Sequence, residues 1–313
     1  MAMHRVGFVA FANFGAMGLA ALSTFEHANL VKGEPVYEVT LLSQGGGSVR
    51  SSAGFCVMTE KFGDDTFDTL IVGASTRLDE PTPAVVAFIR QSMNTARRIA
   101  TSCTGAFALA EAGVLNGRRA TTHWQFAREL AARYPKLAVD ADRIFVVDGP
   151  IWTSAGVTAT IDLALAMVEK DLGAEIARAV ARKMVVYHRR AGGQSQFSTL
   201  LELEPKSDRI QTVFDYAGRN LKRPLSVDEL ATAAALSPRQ FSRVFRAETG
   251  QSPARAVERL RVEAARVLIE QGRHTLDAIA EQTGFGNRER MRRAFLRTIG
   301  QPPQTIRRNS KAV

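Results

Sequence analysis

The sequence predicts an α/β domain built on a parallel sheet, followed by an all-helical domain with two helix-turn-helix units. Short apolar runs alternate with helical patterns through the first 190 residues, every periodic segment beyond Ser207 is helical, and one helical pattern recurs there about 50 residues later. Alternation of the first kind signals strands covered by helices on both faces of a sheet, and a duplicated helical unit signals a domain of its own.

The 313 residues suffice for two hydrophobic cores. A hydrophobic content of 45% with 23% charged residues favours a soluble globular protein over the disordered and membrane classes. Cys56 and Cys103 are the only cysteines and have neither metal-ligand spacing nor a disulfide framework. No metal or cofactor is expected, and a reducing compartment, the cytoplasm, is. The apolar stretch 6–22 has the outline of a signal peptide, but Asn13, Gly15 and Gly18 interrupt it, and 6–11 reads as a buried first strand leading into a helix. Further strands are expected at 37–43, 69–72, 99–102 and 144–147, with helices at 84–98, 105–112, through 163–168, and at 174–188, where Ile176, Val180 and Met184 keep the helical period. The small polar run after Arg190 divides the chain into a domain at 1–190, a linker at 191–206 and a domain at 207–313.

In the C-terminal domain Ile210, Val213, Phe214 and Ala217 lie at helical spacing. Ser226 with Glu229 and Ser237 with Gln240 fit the capping box, and Pro238 and Pro253 follow caps as first helical residues. The repeat aligns Leu230 with Ile279, Ala231 with Ala280, Leu236 with Phe285, Phe245 with Phe295, Gly250 with Gly300 and Pro253 with Pro303. Each copy reads as helix, tight turn, helix. A connecting helix at 253–271, with Val257, Leu260, Ala264, Val267 and Leu268 on one face, is expected to hold the copies apart.

With Phe241, Val244 and Phe245 inward, the second helix of the first copy turns Arg239, Gln240, Ser242, Arg243 and Arg246 outward. In the second copy Met291, Ala294 and Phe295 go in, and Arg288, Glu289, Arg292, Arg293 and Arg297 face out. Arginine matches guanine O6 and N7, glutamine matches adenine, and glutamate accepts from cytosine N4. Charge agrees: Lys plus Arg and Asp plus Glu balance at 20 each through residue 205, against 21 and 11 beyond it. Such a segregated positive field suits double-stranded DNA through counterion release, and the inward aromatics do not suit a membrane surface.

Residues 207–313 resemble an AraC-type DNA-binding domain, on Gly284-Phe285-Gly286 in the second turn and the Gly-x-x-Pro endings Gly250–Pro253 and Gly300–Pro303. The resemblance implies base reading by Arg239, Ser242 and Arg243, and by Arg288, Glu289, Arg292 and Arg293.

Cys103 follows a short strand and precedes a helix, the context of a nucleophile elbow, and His123 is a candidate base about 20 residues on. A cysteine beside a sheet also serves as a small buried hydrophobe. Residues 5–190 resemble the class I glutamine amidotransferase-like fold in its PfpI-like branch, a flavodoxin-like parallel-sheet sandwich, through Ser102-Cys103-Thr104-Gly105-Ala106-Phe107, Ala120-Thr121-Thr122-His123-Trp124 and Ile151-Trp152-Thr153-Ser154-Ala155-Gly156. The joined pair of domains resembles the GlxA-type regulators. Enzymatic members of that superfamily carry an acid after the first strand. Here that loop reads Asn13-Phe14-Gly15-Ala16-Met17-Gly18, and no Asp or Glu precedes Glu26. The expectation is therefore a regulator rather than an enzyme, with Phe14, Cys103, Thr104, His123 and Trp124 as candidate walls of an effector pocket. The resemblance implies nitrogenous effectors, such as amino acids or quaternary amines, and a homodimer formed through the N-terminal domain is expected. The alternatives are a cysteine-dependent hydrolase or a redox sensor tethered to a DNA-binding domain.

Overall fold

The computed structural model describes residues 3–186, 192, 196 and 207–311. The chain divides into two compact units, Met1–Gln196 and Phe197–Val313. Of the expected linker 191–206, all but Gly192 and Gln196 lie outside the described residues. These two bond to the first unit, the Gly192 carbonyl accepting from the Phe145 amide at 3.3 Å and the Gln196 amide donating to the Asp142 carbonyl at 2.9 Å.

The first unit runs β1 (His4–Val9), a 3-10 turn at Ala16–Leu19, α1 (Ala20–Lys32), β2 (Tyr37–Ser43), β3 (Gly47–Arg50), β4 (Cys56–Lys61) and β5 (Thr69–Val72). It continues with α2 (Pro83–Ser92), β6 (Arg98–Ser102), α3 (Gly105–Glu111), β7 (Arg119–Ala120), α4 (Trp124–Arg133), β8 (Ala138–Val139), β9 (Phe145–Asp148), β10 (Ile151–Ser154), α5 (Ala159–Leu172) and α6 (Ala174–Lys183). Eight strands form one sheet in the order β3-β4-β2-β1-β5-β6-β10-β9, parallel except for β3 on β4 and β9 on β10 at its edges. The central strands alternate sides. Val6, Phe8, Ile71, Ala100 and Trp152 join one core with α1, α5 and α6, whereas Val9, Leu70, Val72, Ile99 and Ile151 join the other with α2, α3 and α4. Burial on both faces is why these strands read as unbroken apolar runs.

In the first unit the structure departs from the expected elements in several places, the short β7–β8 pair among them. Helix α2 ends at Ser92 rather than Arg98, because Arg98 is the first residue of β6 and pairs there with Thr69. The 174–188 helix ends at Lys183, and His188 lies outside the described residues. The β3–β4 hairpin and β10 were not expected as strands; β10 follows β9 through Gly149 (φ 58°) and Pro150.

At the amino-terminal end of the strands sits a buried polar cluster. Arg98 donates to Thr69 Oγ1 (2.8 Å) and to both Asp171 oxygens, while Tyr37 OH donates to Asp171 Oδ2 at 2.9 Å. Arg97 reaches Asp171 Oδ1 at 3.0 Å from the surface, and the Asp171 carboxylate itself is fully shielded. Burial alone would raise the Asp171 pKa, but the bonds and charge of Arg98, with Tyr37 and Arg97, bring it below the usual carboxylate value.

The second unit is helical: α7 (Asp208–Arg219), α8 (Val227–Ala233), α9 (Pro238–Thr249), α10 (Pro253–Gln271), α11 (Leu276–Gln282), α12 (Arg288–Ile299) and α13 (Pro303–Lys311). Ile210, Val213, Phe214 and Ala217 are all buried in one core with Phe241 and Phe245, and a second core gathers Ile279, Ala280, Met291, Ala294 and Phe295. Ser237 and Gln240 complete a capping box. Ser226 accepts from the Glu229 amide, but Glu229 does not close the box, since its carboxylate takes the Tyr216 hydroxyl at 2.6 Å. Helix α10 has the expected bounds but not the expected single face. Ala256, Val257 and Leu260 enter the first core, whereas Val262, Ala265 and Ile269 enter the second, and Ala264 and Val267 are only half-buried. The two turns also match: Ala235 (φ 52°) occupies the left-handed position that Gly284 (φ 76°) fills in the second copy. At Gly284 a side chain is excluded outright, because a Cβ would lie 1.9 Å from the Leu221 carbonyl oxygen.

Candidate functional site

The second helices of the two helix-turn-helix units, α9 and α12, present their polar residues to solvent. On α9, Arg239, Gln240, Arg243 and Arg246 are exposed and Ser242 is half-buried; on α12, Arg288, Glu289, Arg292 and Arg293 are exposed. Gln240 is committed locally, its Oε1 accepting from the Ser237 hydroxyl at 2.9 Å and from the Ser237 amide at 3.3 Å. Glu289 sits between two arginines, 3.4 Å from Arg292 and 3.8 Å from Arg293, which restrains both side chains on the outer face. Arg297 turns away to Glu258 on α10 at 2.6 Å.

In the first unit the Cys103 elbow is built as its sequence context predicts. Cys103 takes φ 50°, a left-handed conformation that a non-glycine residue adopts only under constraint from its surroundings. Its amide donates to the Ser154 carbonyl at 2.9 Å, and its carbonyl accepts from the Thr122 hydroxyl at 2.7 Å. Two glycines let the elbow pack closely on its neighbours. A Cβ on Gly105 would meet Thr101 Oγ1 at 2.0 Å, and one on Gly156 would meet Cys103 Cβ at 2.4 Å. The chemistry is muted, however. Burial pushes the Cys103 thiol up, against a smaller opposing bond from Thr104, and burial pushes His123 down, so burial favours the neutral form of both. His123 Nδ1 accepts from the Gln125 amide at 3.4 Å, capping α4. Thr104 Oγ1 clamps the β5–α2 loop, donating to the Ser75 carbonyl (2.7 Å) and accepting from the Ser75 amide (3.0 Å). Phe14 is fully buried in the core, edge-on to Phe55, and Trp124 is exposed at the start of α4.

A cavity of about 550 Å³ opens beside this elbow. Its walls come from the loops after β1, β2 and β5, from β3 and from the start of α3. This is the carboxyl end of the sheet where the chain steps from β1 outward in both directions, to β2 on one side and β5 on the other, the position at which open α/β sheets form crevices. Arg50 and Arg77 line it together with Asp79 and Glu80, and Ser75 Oγ donates to Asp79 at 3.1 Å. Among the five sequence candidates only Thr104 lines this cavity; Phe14, Cys103, His123 and Trp124 do not. Among the described residues no cluster of three His, Cys, Asp or Glu side chains is placed to hold a metal ion.

Residues 17–170 match the DJ-1/PfpI family and residues 230–309 match a helix-turn-helix domain. The HTH-type transcriptional regulator GlxA of Rhizobium meliloti (strain 1021) is 31% identical over 320 residues, covering 98% of this chain and 97% of that protein. The chain belongs to the GlxA-type transcriptional regulators. Another relative, the regulator GbdR of Pseudomonas aeruginosa (strain UCBPP-PA14), is 28% identical across 97% of this chain and 84% of its own length. The crystal structure of an AraC family transcriptional regulator from Pseudomonas putida covers 58% of this chain and 99% of its own, with 21% identity and a TM-score of 0.53, a likeness of fold. In this GlxA-type regulator, then, the α9 and α12 faces belong to a DNA-binding domain of the AraC kind, joined to a DJ-1/PfpI sheet domain. No helix among the described residues is long and apolar enough to cross a membrane. The cavity residues Arg50, Arg77, Asp79 and Glu80 were missed from sequence because the first ends β3 and the others lie in the β5–α2 loop, and only the strand order brings these two segments together. The one local signal was the glycine run Gly45-Gly46-Gly47 entering β3.

Proposed function

We propose that the N-terminal domain of this regulator senses a small zwitterionic, nitrogenous metabolite in the cavity at the carboxyl end of β1 and β5, and thereby biases how the C-terminal domain engages its operator. The observation that carries this reading is the paired-sign lining: Arg50 and Arg77 for a carboxylate, Asp79 and Glu80 for an ammonium group, in a volume of about 550 Å³. Cavities of roughly 300–1,000 Å³ with a few convergent polar groups suit ligands of this size. The burial of Cys103 and His123, which favours their neutral forms, and the cap that His123 makes on α4 support a binding role over turnover. The regulator acts in the cytoplasm as a homodimer joined through its N-terminal domain.

Thermal-shift measurements against amino acids and quaternary amines test the cavity. A true effector at about 100 times its Kd stabilises by roughly 2.7 kcal/mol. Arg50→Ala and Asp79→Ala should each abolish that shift, and Cys103→Ala should leave it. Turnover of an amide or aldehyde substrate that disappears in Cys103→Ala would replace this reading with the enzymatic one.

On the DNA side, the base readers are Arg239, Ser242, Arg243 and Arg246 in the first copy and Arg288, Glu289, Arg292 and Arg293 in the second, with Gln240 occupied by its cap. The two helices enter successive major-groove segments about 10 base pairs apart. Arg243→Ala and Arg293→Ala should each relax specificity by about 1–3 kcal/mol, in different patches of the operator. Selection from a randomised duplex library checks this. Overlapping patches for the two variants would exclude a bipartite reader.

A further inference from the structure

Beside the second reading helix lies a cleft of about 380 Å³, framed by the loop before α8, the connecting helix α10, the Gly284–Phe285 turn and α12. Arg261, Arg290, Arg293 and Arg297 line it, with Glu258 as the one carboxylate among the lining residues. That carboxylate is already taken, since Arg297 holds it with two nitrogens at 2.6 and 3.3 Å. Arg261 is half-buried and donates to neutral carbonyls, Leu221 at 3.1 Å and Arg223 at 2.8 Å, and burial lowers its pKa. The cleft therefore concentrates positive charge that its own lining does not neutralise.

The helix geometry sets Arg290 and Arg297 apart from the base-reading face, with Arg293 at the rim that the cleft and that face share. At about 3.6 residues per turn, Arg290 and Arg297 fall on the flank of α12 toward α10, Glu289 and Arg293 fall on its outermost line, and Arg292 falls on the opposite flank. The two copies also differ at this point. The residue matching Arg290 in the first copy is Gln240, whose side chain is consumed in the capping box with Ser237. In the second copy Asn287 caps α12 by accepting from the Arg290 amide at 2.9 Å, which leaves the Arg290 guanidinium outside the cap.

We propose that this cleft is a seat for one backbone phosphate of the operator, gripped by Arg290 against the Arg261 wall, in the stretch of DNA between the two major-groove segments. Guanidinium groups match a phosphate with two parallel bonds, and phosphate contacts fix register without reading sequence. Arg290 sets the register of the second helix and is distinct in kind from the base readers Arg292 and Arg293.

The test uses the full chain and duplexes that the wild type selects from a randomised library; a wild type that selects none would overturn DNA recognition itself, separately from this proposal. Arg290→Gln, which installs the first copy's residue, should keep the wild-type melting temperature and base preferences. It should weaken binding to all selected duplexes alike and reduce the slope of log K against log salt by about 0.9. Phosphate-ethylation interference should lose one position between the two protected patches, and Arg290→Lys should retain most of the slope. Arg292→Ala should instead alter base preference and keep that interference. The proposal is overturned if Arg290→Gln changes base preference, or leaves both the salt slope and the ethylation pattern as in the wild type. An unchanged pattern combined with loss of binding to an acidic polypeptide would also overturn it and assign the cleft to a protein partner.

Discussion

Asp171→Asn is expected to destabilise the N-terminal domain by about 3–5 kcal/mol, the usual penalty for leaving a buried charge without its counter-ion. The Arg98 side chain is almost entirely shielded, and Asp171 supplies its charged partner, through both oxygens, in the polar cluster beneath the sheet. The same carboxylate anchors Tyr37 and thus ties β2, β6 and α5 together. Urea unfolding followed by tryptophan fluorescence isolates the effect, because Trp124 and Trp152 are the only tryptophans and both lie in this domain. Trp152 even stacks under the Arg98 guanidinium, 5.4 Å from its ring centre. The sign with pH follows from the lowered folded-state pKa of Asp171. Its stabilisation is full above the unfolded value of about 3.9 and is lost as pH falls through the folded one. The wild type should lose stability in that acid window and Asp171→Asn should show less of the loss. An unfolding midpoint unchanged by the substitution would refute the account.

The second large effect concerns salt. A fragment of residues 207–313 has two hydrophobic cores of its own and nearly all the positive excess of the chain, 20 Lys and Arg against 11 Asp and Glu, and should bind duplex DNA alone. If six to ten phosphates are neutralised, its affinity should fall by about 10³ to 10⁵ between 50 and 200 mM salt. Fluorescence anisotropy with a labelled duplex measures this directly. Residues 1–190, whose 20 Lys and Arg against 18 Asp and Glu leave only a small excess, should not bind, and salt-independent binding by the fragment would contradict the electrostatic reading.

What the sequence disclosed follows from the range of the interactions involved. The bounds of α10, the Ser237 cap and the burial of Ile210, Val213, Phe214 and Ala217 were legible because helix periodicity and capping act over a few residues. The overrun of α2 has the same origin, since Met93 and Ala96 continue an apolar helical period although the chain must turn to place Arg98 in β6. The β3–β4 hairpin was hidden because it is short and mostly exposed, without clean alternation. Phe14, a candidate pocket wall by its place after the first strand, is core because it packs against Phe55. The elbow was visible as a local strand-turn-helix pattern, whereas the cavity beside it depends on which strands become neighbours.

Helix α10 serves two cores with two different faces, and this sets the angular phase between the reading heads. Inserting one residue near its middle would rotate the second head by roughly 100° and advance it by about 1.5 Å, so that neither core could close without breaking the other. Operator spacing is thus written into the pitch of a single helix. Variants of this regulator can change which bases are read by substituting side chains on α9 and α12, but a different distance between the half-sites would require this helix to be rebuilt as a unit.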